Sequence, residues 1–172
     1  IALAPIKLDD VMLVTKNGYA LRFNIEEVPV IGAKAAGVKA INLKKDDVLA
    51  AAFIANTDSI YLLTQRGSLK RMAVADIPVT SRANRGLQVL RELKTKPHRV
   101  FVAGPVFGEA VDFDLFTTEA EASEDQILQV LSNKGTAYEI NLADLSLSER
   151  TSNGSFISDT ISDEEVFSAY IK

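Results

Sequence analysis

Residues 11–15, 60–64 and 127–132 are apolar runs, and each leads straight into a polar triplet ending in glycine: Lys16-Asn17-Gly18, Gln65-Arg66-Gly67 and Asn133-Lys134-Gly135. A second strand-like run follows, at 19–23 and 68–72 in the first two copies. Nineteen residues after each of these glycines comes another, at Gly37, Gly86 and Gly154. Pro29 and Pro78 share one position, 11 residues after the first glycine, where the third copy has Ser146. Asn-Gly or Arg-Gly between two β-rich runs signals a tight hairpin, because glycine tolerates the positive φ that such turns demand. The second glycine is expected to open another strand, at 37–43 and 86–90. A fourth apolar strand then closes each unit, at 48–54, 99–106 and 166–171. No helical 3.6-residue period competes with this reading.

Four strands recurring every ~40–50 residues mark the blades of a propeller. The units begin 49 and then 68 residues apart, so 19 residues are inserted between the second and third. The expected architecture is all-β: one domain over residues 1–172, with four-stranded blades at about 11–54, 60–107 and 127–172. The insertion, 108–126, reads as a half-buried strand at 111–116 and a solvated acidic loop at 119–125. Residues 1–6 read as the last strand of an earlier blade. Three blades do not close a ring of the usual ~4–8, so the chain is expected to be part of a larger one.

Composition narrows the chemistry. With 47% hydrophobic and 24% charged residues, the 172-residue chain is a folded protein rather than a disordered one. It has no cysteine, which excludes disulfide staples, cysteine-ligated zinc and cysteine nucleophiles. A single histidine, His98, leaves no material for a Ser-His triad or a histidine metal site; it is expected to be a surface or satisfied residue. The doublets Asp9-Asp10 and Asp46-Asp47 sit in expected turns, where solvation outweighs cation binding as their role. Tyr19, Tyr61, Tyr138 and Tyr170 fall in strands, where core packing is the first explanation. No catalytic or metal-binding set converges. The longest apolar run, 48–55, is far short of the ~20 residues that span a bilayer, and no cleavable leader opens the chain, so a soluble cytoplasmic protein is expected.

Charge supplies the functional lead. The net charge of −4 conceals a division: residues 1–105 carry 16 Lys+Arg against 9 Asp+Glu, while residues 106–172 carry 3 against 14. Seven acids and no bases lie within 109–125, a mobile loop or a segment that competes with a polyanion for a basic face. The cations recur by unit. The first hairpin carries Lys16 and Arg22, and the second Arg66, Lys70 and Arg71. The loop before each second glycine holds Lys34, Arg82 or Arg150, with Arg85 added in the second unit and Lys39 following in the first. Such spacing would set cations at regular steps along one rim, a geometry for tracking a bent phosphate backbone. Contacts to phosphates rather than base edges are expected, since no recognition helix is available. A protein-interaction propeller facing an acidic partner is the alternative, and a propeller enzyme the weakest.

Residues 11–23 (Val11-Met12-Leu13-Val14-Thr15-Lys16-Asn17-Gly18-Tyr19-Ala20-Leu21-Arg22-Phe23), followed by residues 27–43, resemble a blade of the C-terminal domain of bacterial type IIA topoisomerase A subunits. Residues 32–43 look most like the topoisomerase IV branch of Gram-positive bacteria, with gyrase second. The second copy matches more loosely and the third mainly in its glycines. The resemblance implies a β-pinwheel, in which neighbouring blades exchange strands, and double-stranded DNA bound and bent along a basic rim. It also implies a non-catalytic part in an ATP- and Mg2+-using enzyme whose A subunit pairs with an ATPase B subunit in a heterotetramer. No cofactor is expected in this segment. The Gln-Arg-Arg-Gly-Gly-Lys-Gly box of gyrase A subunits is absent; Gln65-Arg66-Gly67 shares letters with it but occupies a hairpin turn.

Overall fold

The computed structural model describes residues 10–45, 47–107 and 126–172. Eleven strands are described: β1 (Asp10–Thr15), β2 (Tyr19–Asn24), β3 (Leu49–Ile54), β4 (Ser59–Thr64), β5 (Ser68–Ala73), β6 (Leu87–Gln88), β7 (Val100–Val106), β8 (Ile127–Ser132), β9 (Ala137–Asn141), β10 (Ser155–Phe156) and β11 (Val166–Ile171). They form three antiparallel sheets in the orders β3-β1-β2-β6, β7-β4-β5-β10 and β11-β8-β9. The strand expectations at 1–6 and 111–116 and the acidic loop lie outside the described residues.

The hairpins form as the glycines require. Gly18, Gly67 and Gly135 have φ of 79°, 74° and 85°, and each donates its N–H to the carbonyl of Thr15, Thr64 or Ser132 at 2.9–3.0 Å. Those three hydroxyl residues do a second job. Each side-chain oxygen accepts the N–H four residues on, from Tyr19, Ser68 and Thr136, at 3.1 Å. A 3-10 turn follows each hairpin, at Ile25–Glu27, Val74–Asp76 and Leu142–Asp144.

The second glycines show how the blades join. Gly86 and Gly154 have φ of 85° and 74°, and a Cβ on either would collide with the Ala20 or Leu69 carbonyl of the preceding blade. The strand that follows is therefore given away: β6 pairs with β2, and β10 with β5. It is also shorter than the sequence suggests, two residues rather than five. The expected strand at 37–43 does not form. Gly37 has nothing within 4 Å of its would-be Cβ, and the segment instead bonds to the 83–84 loop through Asn42 N–H to Asn84 O and Ala83 N–H to Ala40 O. No preceding β-strand is available to it among the described residues.

The core lies in the seams between blades. Met12, Val14, Ile60, Leu62, Met72, Val89 and Leu90 pack in the first seam, and Tyr61, Leu63, Leu69, Leu128, Val130, Leu142 and Ile161 in the second. Strand β4 is buried at all six positions, since its alternate faces serve the two seams. Each fully buried Leu or Ile contributes roughly 1.5–3 kcal/mol, so the stacking of blades is a major source of stability. Of the four strand tyrosines only Tyr61 is buried; Tyr19 and Tyr138 are half-buried and Tyr170 is exposed. Asp10 lies in β1 rather than a turn, and Asp47 accepts from the Asn17 and Val48 N–H groups, while Asp9 and Asp46 lie outside the described residues.

Candidate nucleic-acid interface

The cations divide into those that tie the blades together and those left open. Lys70 is the clearest correction to the rim reading. It sits in β5 at 2% exposure, at the repeat position that Leu21 fills in the first blade. Its ammonium donates to the carbonyls of Val89, Arg150 and Ser152 at 2.5, 2.7 and 2.9 Å. These carbonyls flank β6 and β10, so one buried charge fastens both exchanged strands. Burial and the nearby Arg150 push its pKa down to about 8, against an opposing pull from Asp76.

Arg22 and Arg71 occupy the same place in successive blades and do the same work. Arg22 pairs with Asp10 at 2.7 Å and reaches the Val74 and Ile77 carbonyls of the next blade. Arg71 donates to Ser59 Oγ, at the position equivalent to Asp10, and to the Ala143 and Leu145 carbonyls. Arg82 and Arg150 form a second repeated tie. Arg82 Nη1 donates to the Lys39 carbonyl and Arg150 Nη1 to the Gln88 carbonyl, which stand two residues after Gly37 and Gly86. Arg82 also binds Glu27 through its backbone N–H and its Nε. These arginines thus recur at the repeat spacing with backbone carbonyls of a neighbouring blade as their partners.

Of the remaining candidates, the lysines are exposed and the two arginines half-buried. Lys16 and Lys34 are exposed; Lys39 is exposed and donates to Asn42 Oδ1. Arg85 is half-buried, with its guanidinium carbon 3.8 Å from the Tyr19 ring centroid in a cation–π arrangement. Arg66 is partly spent on the Lys96 carbonyl and on His98 Nε2, and lies over Phe156. His98 is buried and satisfied, with Nδ1 on Thr64 Oγ1 at 3.1 Å; burial and the facing Arg66 lower its pKa.

Five exposed cations on the first two blades escaped the sequence reading: Lys44, Lys45, Arg91, Lys94 and Lys96. Their signal was present, because Lys45 and Lys94 are 49 residues apart, the repeat distance. Two salt bridges are present among the described residues, Arg22–Asp10 and Arg99–Glu92, so none of these five is in one. No group of three or more carboxylate or histidine side chains gathers there to hold a metal ion, and no helix is long and apolar enough to cross a membrane.

Sheets that share edge strands across tied seams define a β-propeller of the pinwheel kind. The sequence matches the family described as DNA gyrase C-terminal domain, beta-propeller, over residues 9–56 and 58–105, and the chain belongs to that family. It is 71% identical over all its 172 residues to the A subunit of DNA topoisomerase 4 from Streptococcus pneumoniae serotype 4, covering 21% of that protein. The counterpart from Bacillus subtilis is 43% identical over 150 residues, 87% of this chain and 17% of the relative. Among solved structures, the C-terminal domain of DNA topoisomerase IV aligns with a TM-score of 0.77 at 33% identity, over 95% of this chain and 46% of that one. The DNA gyrase A C-terminal domain, at 19% identity and a TM-score of 0.72, covering 96% of this chain and 51% of that one, shares the fold. The chain spans about a fifth of the length of the curated relatives it matches.

Proposed function

We propose that this chain is a non-catalytic DNA-binding domain of a topoisomerase IV A subunit, holding duplex DNA through its phosphates. The observation that carries this reading is the set of exposed cations on blades one and two that make no ion pair among the described residues, in a chain of this family. Lysines on loops give point charges at intervals, which suits a backbone and not the donor–acceptor pattern of base edges. Binding bends the duplex and positions it for strand passage in relaxation and decatenation. ATP and Mg2+ act in other parts of the assembly, which works in the cytoplasm and includes an ATPase B subunit. The gyrase A wrapping role is second, since the gyrase box is absent from these 172 residues.

Competition among unrelated duplexes of equal length tests the reading. Affinities within a few-fold of one another are expected. A hundredfold preference for one sequence, or no binding even at low salt, would refute it; the latter is what a protein-interaction propeller predicts.

A further inference from the structure

The hairpin turns lie at one end of the sheets, and backbone bonds bring other loops against them. At the first turn, Lys16 N–H donates to Val48 O and Asn17 N–H to Asp47 Oδ1, which sets the loop carrying Lys44 and Lys45 beside Lys16. At the second, Gln65 bonds Arg99 and Pro97 and Arg66 bonds the Lys96 carbonyl, which sets the loop carrying Lys94 and Lys96 beside Arg66. The two tips are joined, because Val100 N–H donates to Lys16 O at 2.8 Å. The neighbouring Arg99 is neutralised by Glu92. Six cations therefore run from one tip to the next: Lys16, Lys44, Lys45, Lys94, Lys96 and Arg66.

The third tip repeats the scaffold with the opposite charge. Val166 N–H donates to Gln65 O at 2.8 Å, as Val100 does to Lys16. Asn133 exchanges bonds with Glu165, so the loop beside this turn is Asp163-Glu164-Glu165. The cationic arc ends at an acidic wall, with Lys134 as the one base on the third tip.

We infer that the DNA phosphate backbone runs over the hairpin tips of blades one and two, not along the periodic arginines, and leaves the protein at blade three. This path rests on the DNA-binding reading above. The chemistry fits a duplex: the five lysines are exposed, none of the six cations makes an ion pair among the described residues, and they spread along an arc. Each phosphate neutralised releases counterion. Arg22, Arg71, Arg82 and Arg150 are set apart from the path because their guanidinium groups tie neighbouring blades together through backbone carbonyls, whereas the Arg66 bond to the Lys96 carbonyl stays within its own tip.

The test is fluorescence anisotropy of the whole 172-residue chain with a short duplex at 0.1 M salt. Loss of three contacts in the triple variant Lys16→Ala, Lys44→Ala, Lys45→Ala is expected to weaken binding by about 100-fold or more. The triple Lys34→Ala, Lys39→Ala, Arg85→Ala, on the exchange-segment side, is expected to weaken binding at least about tenfold less than the tip triple does. Asp163→Lys with Glu165→Lys should extend the arc and tighten binding by about tenfold. All these positions are accessible, and unchanged circular dichroism melts would show the fold intact. If wild type binds but the tip triple binds equally well, the path is wrong. If the wild-type chain binds no duplex at all, the DNA-binding reading fails and the path falls with it. Tip-dependent binding of polyglutamate in preference to DNA would overturn the path in favour of an acidic protein partner.

Discussion

Replacing Lys70 with Met removes a buried charge and leaves three carbonyls, those of Val89, Arg150 and Ser152, without their donor. An unsatisfied buried acceptor costs about 1–3 kcal/mol, so the three together cost about 6. Against this, the ammonium is buried unfavourably. A pKa of about 8 in place of 10.5 corresponds to roughly 3 kcal/mol at 1.36 kcal/mol per unit. The variant should thus be less stable by about 3 kcal/mol at pH 7. The pH dependence has a definite sign. Between pH 8 and 10 the unfolded chain holds the Lys70 proton more firmly than the folded one, so wild-type stability rises with pH through this window. The variant lacks that rise. The gap between them should widen by about 2 kcal/mol from pH 7 to pH 9.5. Urea unfolding followed by circular dichroism at the two pH values measures both quantities. A loss below about 1 kcal/mol at pH 7 would show that the ammonium does not fasten the exchanged strands. A gap that narrows with rising pH would contradict its lowered pKa.

Other outcomes follow from the same seams. Gly86→Ala and Gly154→Ala should each cost more than about 2 kcal/mol, from strain at positive φ plus collision with a backbone carbonyl, whereas Gly37→Ala, in open space, should cost about 1; thermal melts decide. Arg71→Leu should destabilise by about 2 kcal/mol through loss of the Ser59, Ala143 and Leu145 bonds, while leaving the salt dependence of DNA binding unchanged. His98 has a lowered pKa, so the unfolded state takes up its proton first and stability falls as the pH drops below about 6.5. A His98→Gln variant should lose less stability than wild type between pH 6.5 and 5, read from melting temperatures.

The hairpins were legible because their determinants are local. Apolar runs ending in Thr15, Thr64 and Ser132 and glycines three residues later state the turn within five positions. The fate of the strand after the second glycine was not, because it is settled by a distant partner: Gly86 needs the Ala20 carbonyl, 66 residues back, and Gly154 the Leu69 carbonyl, 85 residues back. The arginines misled for a related reason. Equal spacing is demanded as much by repeated seams as by a phosphate track, and the carbonyl partners of these arginines distinguish the two. Lys70 misled because a lysine in a hairpin strand beside Arg71 reads as an exposed rim cation. Its ammonium is buried only because the loops at 89 and 150–152 close over it. Lys44, Lys45, Lys94 and Lys96 fell outside the hairpin motif, and their nearness to the tips depends on bonds such as Asn17 N–H to Asp47 and Arg66 to Lys96.

The salt dependence of duplex binding tests the central claim most directly. If the six tip cations each neutralise a phosphate, log K should fall linearly with log salt with a slope of about −5, at roughly −0.9 per contact. Each alanine substitution at Lys16, Lys44, Lys45, Lys94 or Lys96 should make the slope shallower by about one unit. A flat salt dependence, or a slope that the tip lysines leave unchanged, would contradict the account.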